Sequence, residues 1–116
     1  MIKTKEEFIK YKVFFRRINA TGDFGHQELA DAIYRENYSP GEFLIMNEDG
    51  VPTNTNLEKR PQMKKLIQMI INNQVDIIYV YDRSRLFRDF YALNNFVSLC
   101  QKHKVKISYT FKGITS

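Results

Sequence analysis

The sequence predicts an α/β fold, a three-layer α/β/α arrangement around a mostly parallel sheet of at least four strands. Three observations carry this. Segments of strand character alternate with segments of helical period in the order β-α-β-α-β-α-β, the pattern of a parallel sheet joined by crossover helices. The stretch 75–81, VDIIYVY, is apolar almost without alternation, as a central strand covered on both faces requires. Charged residues gather where strands end: Arg16 and Arg17 after the first, Glu48 and Asp49 after the second, Arg83, Arg85 and Arg88 after the third. Ligands of such sheets bind beyond the carboxyl ends of the strands.

The elements follow in order. MIKTKEEFIKYK at the N-terminus is charged and reads as a short helix or a frayed lead-in. KVFFRRI (12–18) is rich in β-branched and aromatic residues and reads as the first strand. NATGDFG (19–25) is turn material. From His26 to Asn37, Leu29, Ala30, Ile33 and Tyr34 recur at helical spacing, and Ser39, Pro40 and Gly41 end that helix. EFLIMN (42–47) is the second strand, and 48–60 is a polar loop long enough to suggest a functional role. Pro61 opens the next helix in the first-turn position proline favours. Met63, Leu66, Ile67 and Ile70 give it one apolar face, and it ends near Asn72 and Asn73. After the 75–81 strand, Phe90, Leu93, Val97 and Cys100 mark a helix running to about Lys104. VKISY (105–109) alternates and reads as the last strand.

At 116 residues the chain suits one domain burying roughly two-thirds of its unfolded surface. A hydrophobic share of 43% against 27% charged excludes a disordered or fibrous class. The net charge of +5 leans moderately towards polyanions. Cys100 is the only cysteine, so no internal disulfide forms and a reducing compartment is expected. No apolar run reaches the roughly 18 residues of a membrane span, and no signal-peptide pattern opens the chain. A cytoplasmic protein with no membrane partner is expected.

The densest positive charge, Arg83, Arg85 and Arg88, falls just before the third helix. Cations are disfavoured at a helix N-terminus, so an anion held jointly by the arginines and the first helix amides would explain them, phosphate above all. The competing reading is a solvated loop tip in which the arginines pair with Asp82 and Asp89. Arg17 and Arg60, at other strand and helix ends, favour a converging pocket. A divalent metal at Asp82, Glu48 and Asp49 is disfavoured by the arginines that end strand one. Cys100 and His103 have half the spacing of a zinc site without a second pair, so packing and surface roles are expected. No G-x-G-x-x-G or P-loop follows strand one, so no nucleotide cofactor is implied. Phe14, Phe15, Tyr79 and Tyr81 lie within strands and are read as core.

Residues 60–108 resemble the catalytic domain of the serine recombinases, the resolvase and invertase family. Arg60-Pro61, the acidic-led apolar strand from Val75-Asp76, the element Ser84-Arg85-Leu86-Phe87-Arg88 and the strand Val105 to Ser108 match its motifs in order and spacing. The resemblance implies a resolvase-like fold and transesterification at DNA phosphodiesters with no metal or cofactor. In that chemistry a serine hydroxyl attacks phosphorus, leaving a 5′-phosphoserine link and a free 3′-hydroxyl, while arginines stabilise the crowded negative charge. It assigns Arg85, Arg88, Arg60 and Arg17 to the phosphate, with Arg17 from the strand-one motif Y-x-R-V-S. Guanidinium groups suit that task, having fixed bidentate donors and a charge that does not titrate away. It also implies DNA as partner and a homodimer or higher oligomer in the full-length protein.

FRRIN (15–19) departs from the strand-one motif: Phe15 stands for the tyrosine and Asn19 for the nucleophilic serine. An amide has no hydroxyl with which to form the phosphoester. The family's glutamine has only Gln27 as a distant counterpart, and EDGVPT (48–53) replaces its D-x-G-x-S-G loop, with Glu48 for the acid and Pro52 for the serine. Thr21 and Ser84 carry hydroxyls nearby, off the nucleophile's position. The chain is therefore expected to be a single resolvase-like catalytic domain over 1–116, without the dimerisation helix and DNA-binding region that follow in the family. Three readings stay open: a domain that has lost its nucleophile, an active recombinase whose strand-one register differs or whose serine was changed to Asn19, and an unrelated α/β anion- or nucleotide-binding domain.

Overall fold

The computed structural model describes residues 10–18, 24–48 and 57–111. Tyr11–Arg17 forms β1, where Val13, Phe14 and Phe15 are almost wholly excluded from water. Burial of such side chains contributes roughly 1.5–3 kcal/mol each, which sets the strand at the centre of the sheet. With β2 (Phe43–Glu48), β3 (Val75–Val80) and β4 (Lys106–Tyr109) it makes one four-stranded parallel sheet in the order β2-β1-β3-β4. The 75–81 segment is interior as expected, its strand ending at Val80.

Side chains alternate across β1. Val13 and Phe15 face a core filled by Met63, Leu66 and Ile70 of α2 (Pro61–Ile71) and Phe96 and Cys100 of α3 (Phe90–Lys102). Phe14 and Arg16 face the opposite side, covered by α1 (Gly25–Arg35). There Phe14 stacks on Tyr79 at 4.8 Å, and Tyr34 meets Tyr79 at 5.1 Å. The chain passes from β1 outward to β2, then back across β1 to β3, so the direction of winding reverses between β1 and β3. A reversal with helices on both faces makes a topological switch point there, where the loops leaving two adjacent strands diverge.

Helix ends follow local chemistry. Pro61 occupies the first turn of α2, and Asn73 closes it with φ of 57°, a conformation asparagine tolerates. Asp89 caps α3 by accepting from Ala92 N–H at 2.8 Å.

α1 departs from expectation. Leu29 and Ile33 point to solvent at 78% and 68% exposure, whereas Gln27 and Asp31 are buried. Polar partners on β1 override the apolar stripe: Asp31 accepts two hydrogen bonds from Arg16, at 2.9 and 3.0 Å, and one from Arg35 at 2.7 Å. Each is charge-assisted and stronger than a neutral bond, and together they turn the helix by its acidic face towards the sheet. The charged N-terminal stretch lies largely outside the described residues, as does most of the 48–60 loop; Leu57–Lys59 forms a short 3-10 turn.

Candidate functional site

The carboxyl edge of the sheet beside the switch point is built around a buried carboxylate. Glu48 ends β2 directly opposite Arg17, the last residue of β1, and both are almost fully buried. Arg60, which precedes α2, donates from Nε to Glu48 Oε1 at 2.6 Å, and Met63 N–H donates to Oε2 at 3.0 Å. Arg17 Nε stands 3.9 Å from the same Oε1. One anion thus serves two arginines from different elements, which is what allows both to be buried.

Arg60 has its remaining nitrogens on the turn after β3. Nη1 donates to Leu86 O at 2.5 Å and Nη2 to Arg85 O at 3.3 Å, while the guanidinium lies over the Phe87 ring at 4.8 Å. Arg60 therefore fixes the backbone that carries Arg85. Arg85 reaches back in turn, Nη1 donating to Arg17 O at 3.4 Å.

Gln27 holds the end of β1 from the other face. Its Oε1 accepts from Arg17 N–H and its Nε2 donates to Arg17 O, both at 2.9 Å. A primary amide matches a peptide group in both directions, so this side chain pairs with the strand as a neighbouring strand would. Burial, then the Arg60 charge, lowers the Arg17 pKa from its ordinary value; Glu48 opposes them, and Arg88 and Arg85 add to the lowering. The other three sequence-predicted arginines thus all act on Arg17, and the four differ in exposure: Arg17 and Arg60 buried, Arg85 intermediate, Arg88 exposed.

Residues 83–88 are not the start of a helix. Arg83–Arg85 is a 3-10 turn capped by Asp82, which accepts from Ser84 N–H at 2.9 Å and from the Ser84 hydroxyl. α3 begins only at Phe90, with Asp89 on its first turn. The arginines of 83–88 therefore stand on the turn before α3, and its first turn is capped by Asp89. Arg85 Nε lies 3.9 Å from Asp82 Oδ1, beyond hydrogen-bond range.

Asn19 and Thr21 lie outside the described residues, as do Asp49 and Pro52. Among the described residues, no three of His, Cys, Asp and Glu group as metal ligands. Cys100 is buried, which pushes its thiol up to about 12, and His103 Nδ1 lies 3.0 Å from Asn73 Oδ1 at the surface. Phe14, Phe15 and Tyr79 are core, whereas Tyr81 lies one residue past β3 and is half-buried. Among the described residues no helix is long and apolar enough to cross a membrane. The clasp by Gln27 and the counterion role of Glu48 are tertiary facts. Their sequence signal is faint: an acid at the end of one strand facing an arginine at the end of the next.

Fold and site together define a class, an α/β domain with a cationic cluster at the switch point of a parallel sheet. Residues 26–115 match the family model described as Resolvase, N terminal domain, and the chain belongs to that family. Solved structures of serine recombinases share the fold. A serine recombinase from Sulfolobus solfataricus is 20% identical with a TM-score of 0.66, over 92% of this chain and 72% of that one. The C-terminal catalytic domain of ISC1926 TnpA, an IS607-like serine recombinase, is 17% identical with a TM-score of 0.66, over 91% and 71%. The N-terminal catalytic domain of TP901-1 integrase is 25% identical with a TM-score of 0.62, over 84% and 75%. A comparison with curated proteins gives no match.

Proposed function

We propose that this chain is a single serine recombinase-type domain that holds a DNA phosphodiester with Arg17, Arg85 and Arg88, and that it does not cut the strand. The observation that carries the phosphate reading is the chain of contacts Glu48–Arg60–Arg85–Arg17, which points three strand ends at one place. Arg60, with its donors committed to Glu48, Leu86 and Arg85, acts as the scaffold of the site. Arg85 and Arg88 are the more exposed pair and meet the phosphate oxygens first. Guanidinium donors held in place in this way stabilise charge as it develops on phosphorus without reorganising.

Asn19 takes the position of the attacking serine in the strand-one motif. Its amide supplies no hydroxyl oxygen to bond to phosphorus, and loss of the nucleophile in a covalent enzyme costs on the order of a million-fold in rate. The domain in this reading recognises DNA and a second copy of itself, and serves recombination as a binding or regulatory unit.

The test incubates the protein with supercoiled DNA and with a suicide substrate, and looks for a covalent protein–DNA species. None is expected, and Asn19→Ser is expected to restore one. A covalent adduct with the unmodified protein overturns the inactive reading, and its loss in Thr21→Ala would make Thr21 the nucleophile.

A further inference from the structure

An aromatic shelf lies against the arginines, and neither the fold nor the phosphate chemistry uses it. Tyr81 follows β3, and Phe111 lies past the end of β4. Phe111 N–H donates to Tyr81 O at 2.9 Å and Thr110 N–H to Val80 O at 2.8 Å, which brings the two rings to 4.9 Å between centroids. The Arg85 guanidinium sits 5.4 Å from the centre of the Tyr81 ring. Phe111 and Tyr109 are 52% and 40% exposed. With Tyr81, Asp82 and Arg83 they line a cleft of about 260 Å³.

The chemistry of that cleft selects its occupant. Its volume lies below the roughly 300–1,000 Å³ of a pocket for a drug-sized ligand, enough for one flat ring system. Its floor is aromatic, while its rim carries the exposed Arg83 and the Asp82 carboxylate, a poor match for an apolar helix. Arg85 belongs both to this shelf and to the phosphate site, through Tyr81 on one side and Arg17 O on the other. Aromatic faces beside a cationic backbone track are how unpaired nucleic acid is held, because every base has a face to stack.

We propose that the Tyr81–Phe111 shelf stacks one unpaired DNA base, attached to the phosphate that Arg85 holds. Asp82 stands at the rim to accept from an exocyclic amino group, which favours bases that carry one. This rests on the phosphate reading above and adds to it a preference for single-stranded over paired DNA.

The experiment measures affinity for a short single-stranded oligonucleotide and for a blunt duplex of equal length by fluorescence anisotropy at fixed salt. A 2-aminopurine in the single strand reports stacking. Phe111→Ala and Phe111→Leu are both expected to weaken single-strand binding by roughly 5- to 150-fold, the loss of one base stack, with duplex binding unchanged and 2-aminopurine no longer quenched. Arg85→Ala is expected to weaken both DNAs alike. If Arg85→Ala changes neither, the phosphate reading falls, and with it the link to the shelf. If Arg85→Ala acts while the Phe111 variants bind single strands as the parent does, only the shelf is refuted. A Phe111→Ala variant that changes oligomeric state in gel filtration and leaves DNA affinity intact would make the shelf a protein interface and overturn the proposal.

Discussion

Glu48 Oε1 and Arg60 Nε are 2.6 Å apart with both side chains 1% exposed, and the pair is the keystone of the carboxyl edge beside the switch point. Breaking a buried pair by removing one charge leaves the other unpaired in a low dielectric, at a cost of about 3–5 kcal/mol. Glu48→Gln is therefore expected to lower the unfolding free energy by that order, seen as a lower urea midpoint with an unchanged slope. A loss below about 1 kcal/mol would place the pair among surface ion pairs instead.

Arg85→Ala and Arg88→Ala should behave in the opposite manner. Neither side chain is fully buried, and both add positive charge beside Arg17. Thermal stability is expected to stay the same or rise slightly. DNA affinity is expected to fall, and the slope of log K against log salt to drop by nearly one for each phosphate no longer held. Differential scanning fluorimetry and a salt titration measure the two separately. A large fall in melting temperature for both variants would make these arginines structural.

Gln27→Ala removes the acceptor of Arg17 N–H and one donor to Arg17 O, leaving that carbonyl the longer bond from Arg85. The buried donor left unmade costs about 1–3 kcal/mol, less whatever water recovers. The expected result is a destabilised domain with reduced DNA affinity, because Arg17 is no longer held in register with Glu48. Gln27→Glu is the sharper variant, since it retains shape and replaces a donor facing a carbonyl with a second oxygen. Chemical denaturation and anisotropy read the two effects.

Alkaline pH should weaken the fold. Burial pushes the Cys100 thiol from its ordinary value of 9.0 up to about 12, and raises Tyr109 as well. The folded state holds these protons longer than the unfolded chain, so their contribution is complete below about pH 9 and is lost as pH rises towards about 12. Urea midpoints between about pH 8 and pH 10.5 should decline, and the decline should be shallower in Cys100→Ala. Equal slopes in parent and variant would remove Cys100 from the effect.

Much of the fold is legible in the sequence because it rests on local signals. The apolar run 75–80, Pro61 before an i, i+3, i+4 pattern, and asparagines after it are written in adjacent residues, and each of these elements forms within a residue or two of its expected bounds. The orientation of α1 is not legible, because Asp31 and Gln27 are buried by partners on another element, and helical period alone favours Leu29 and Ile33. The third helix, by contrast, is legible: Phe90, Leu93, Val97 and Cys100 mark it, and it begins at Phe90 with Asp89 as its cap, past the arginines as expected.

The two-point clasp of Gln27 on Arg17 has a further consequence. It fixes where the chain leaves the sheet and where it returns, and Ile18 N–H adds a bond to Glu48 O at 3.1 Å on the outgoing side. The end of β1 is thereby tied to α1 through Gln27 and to β2 through Ile18, so any displacement of α1 along the sheet carries the Arg17 backbone with it.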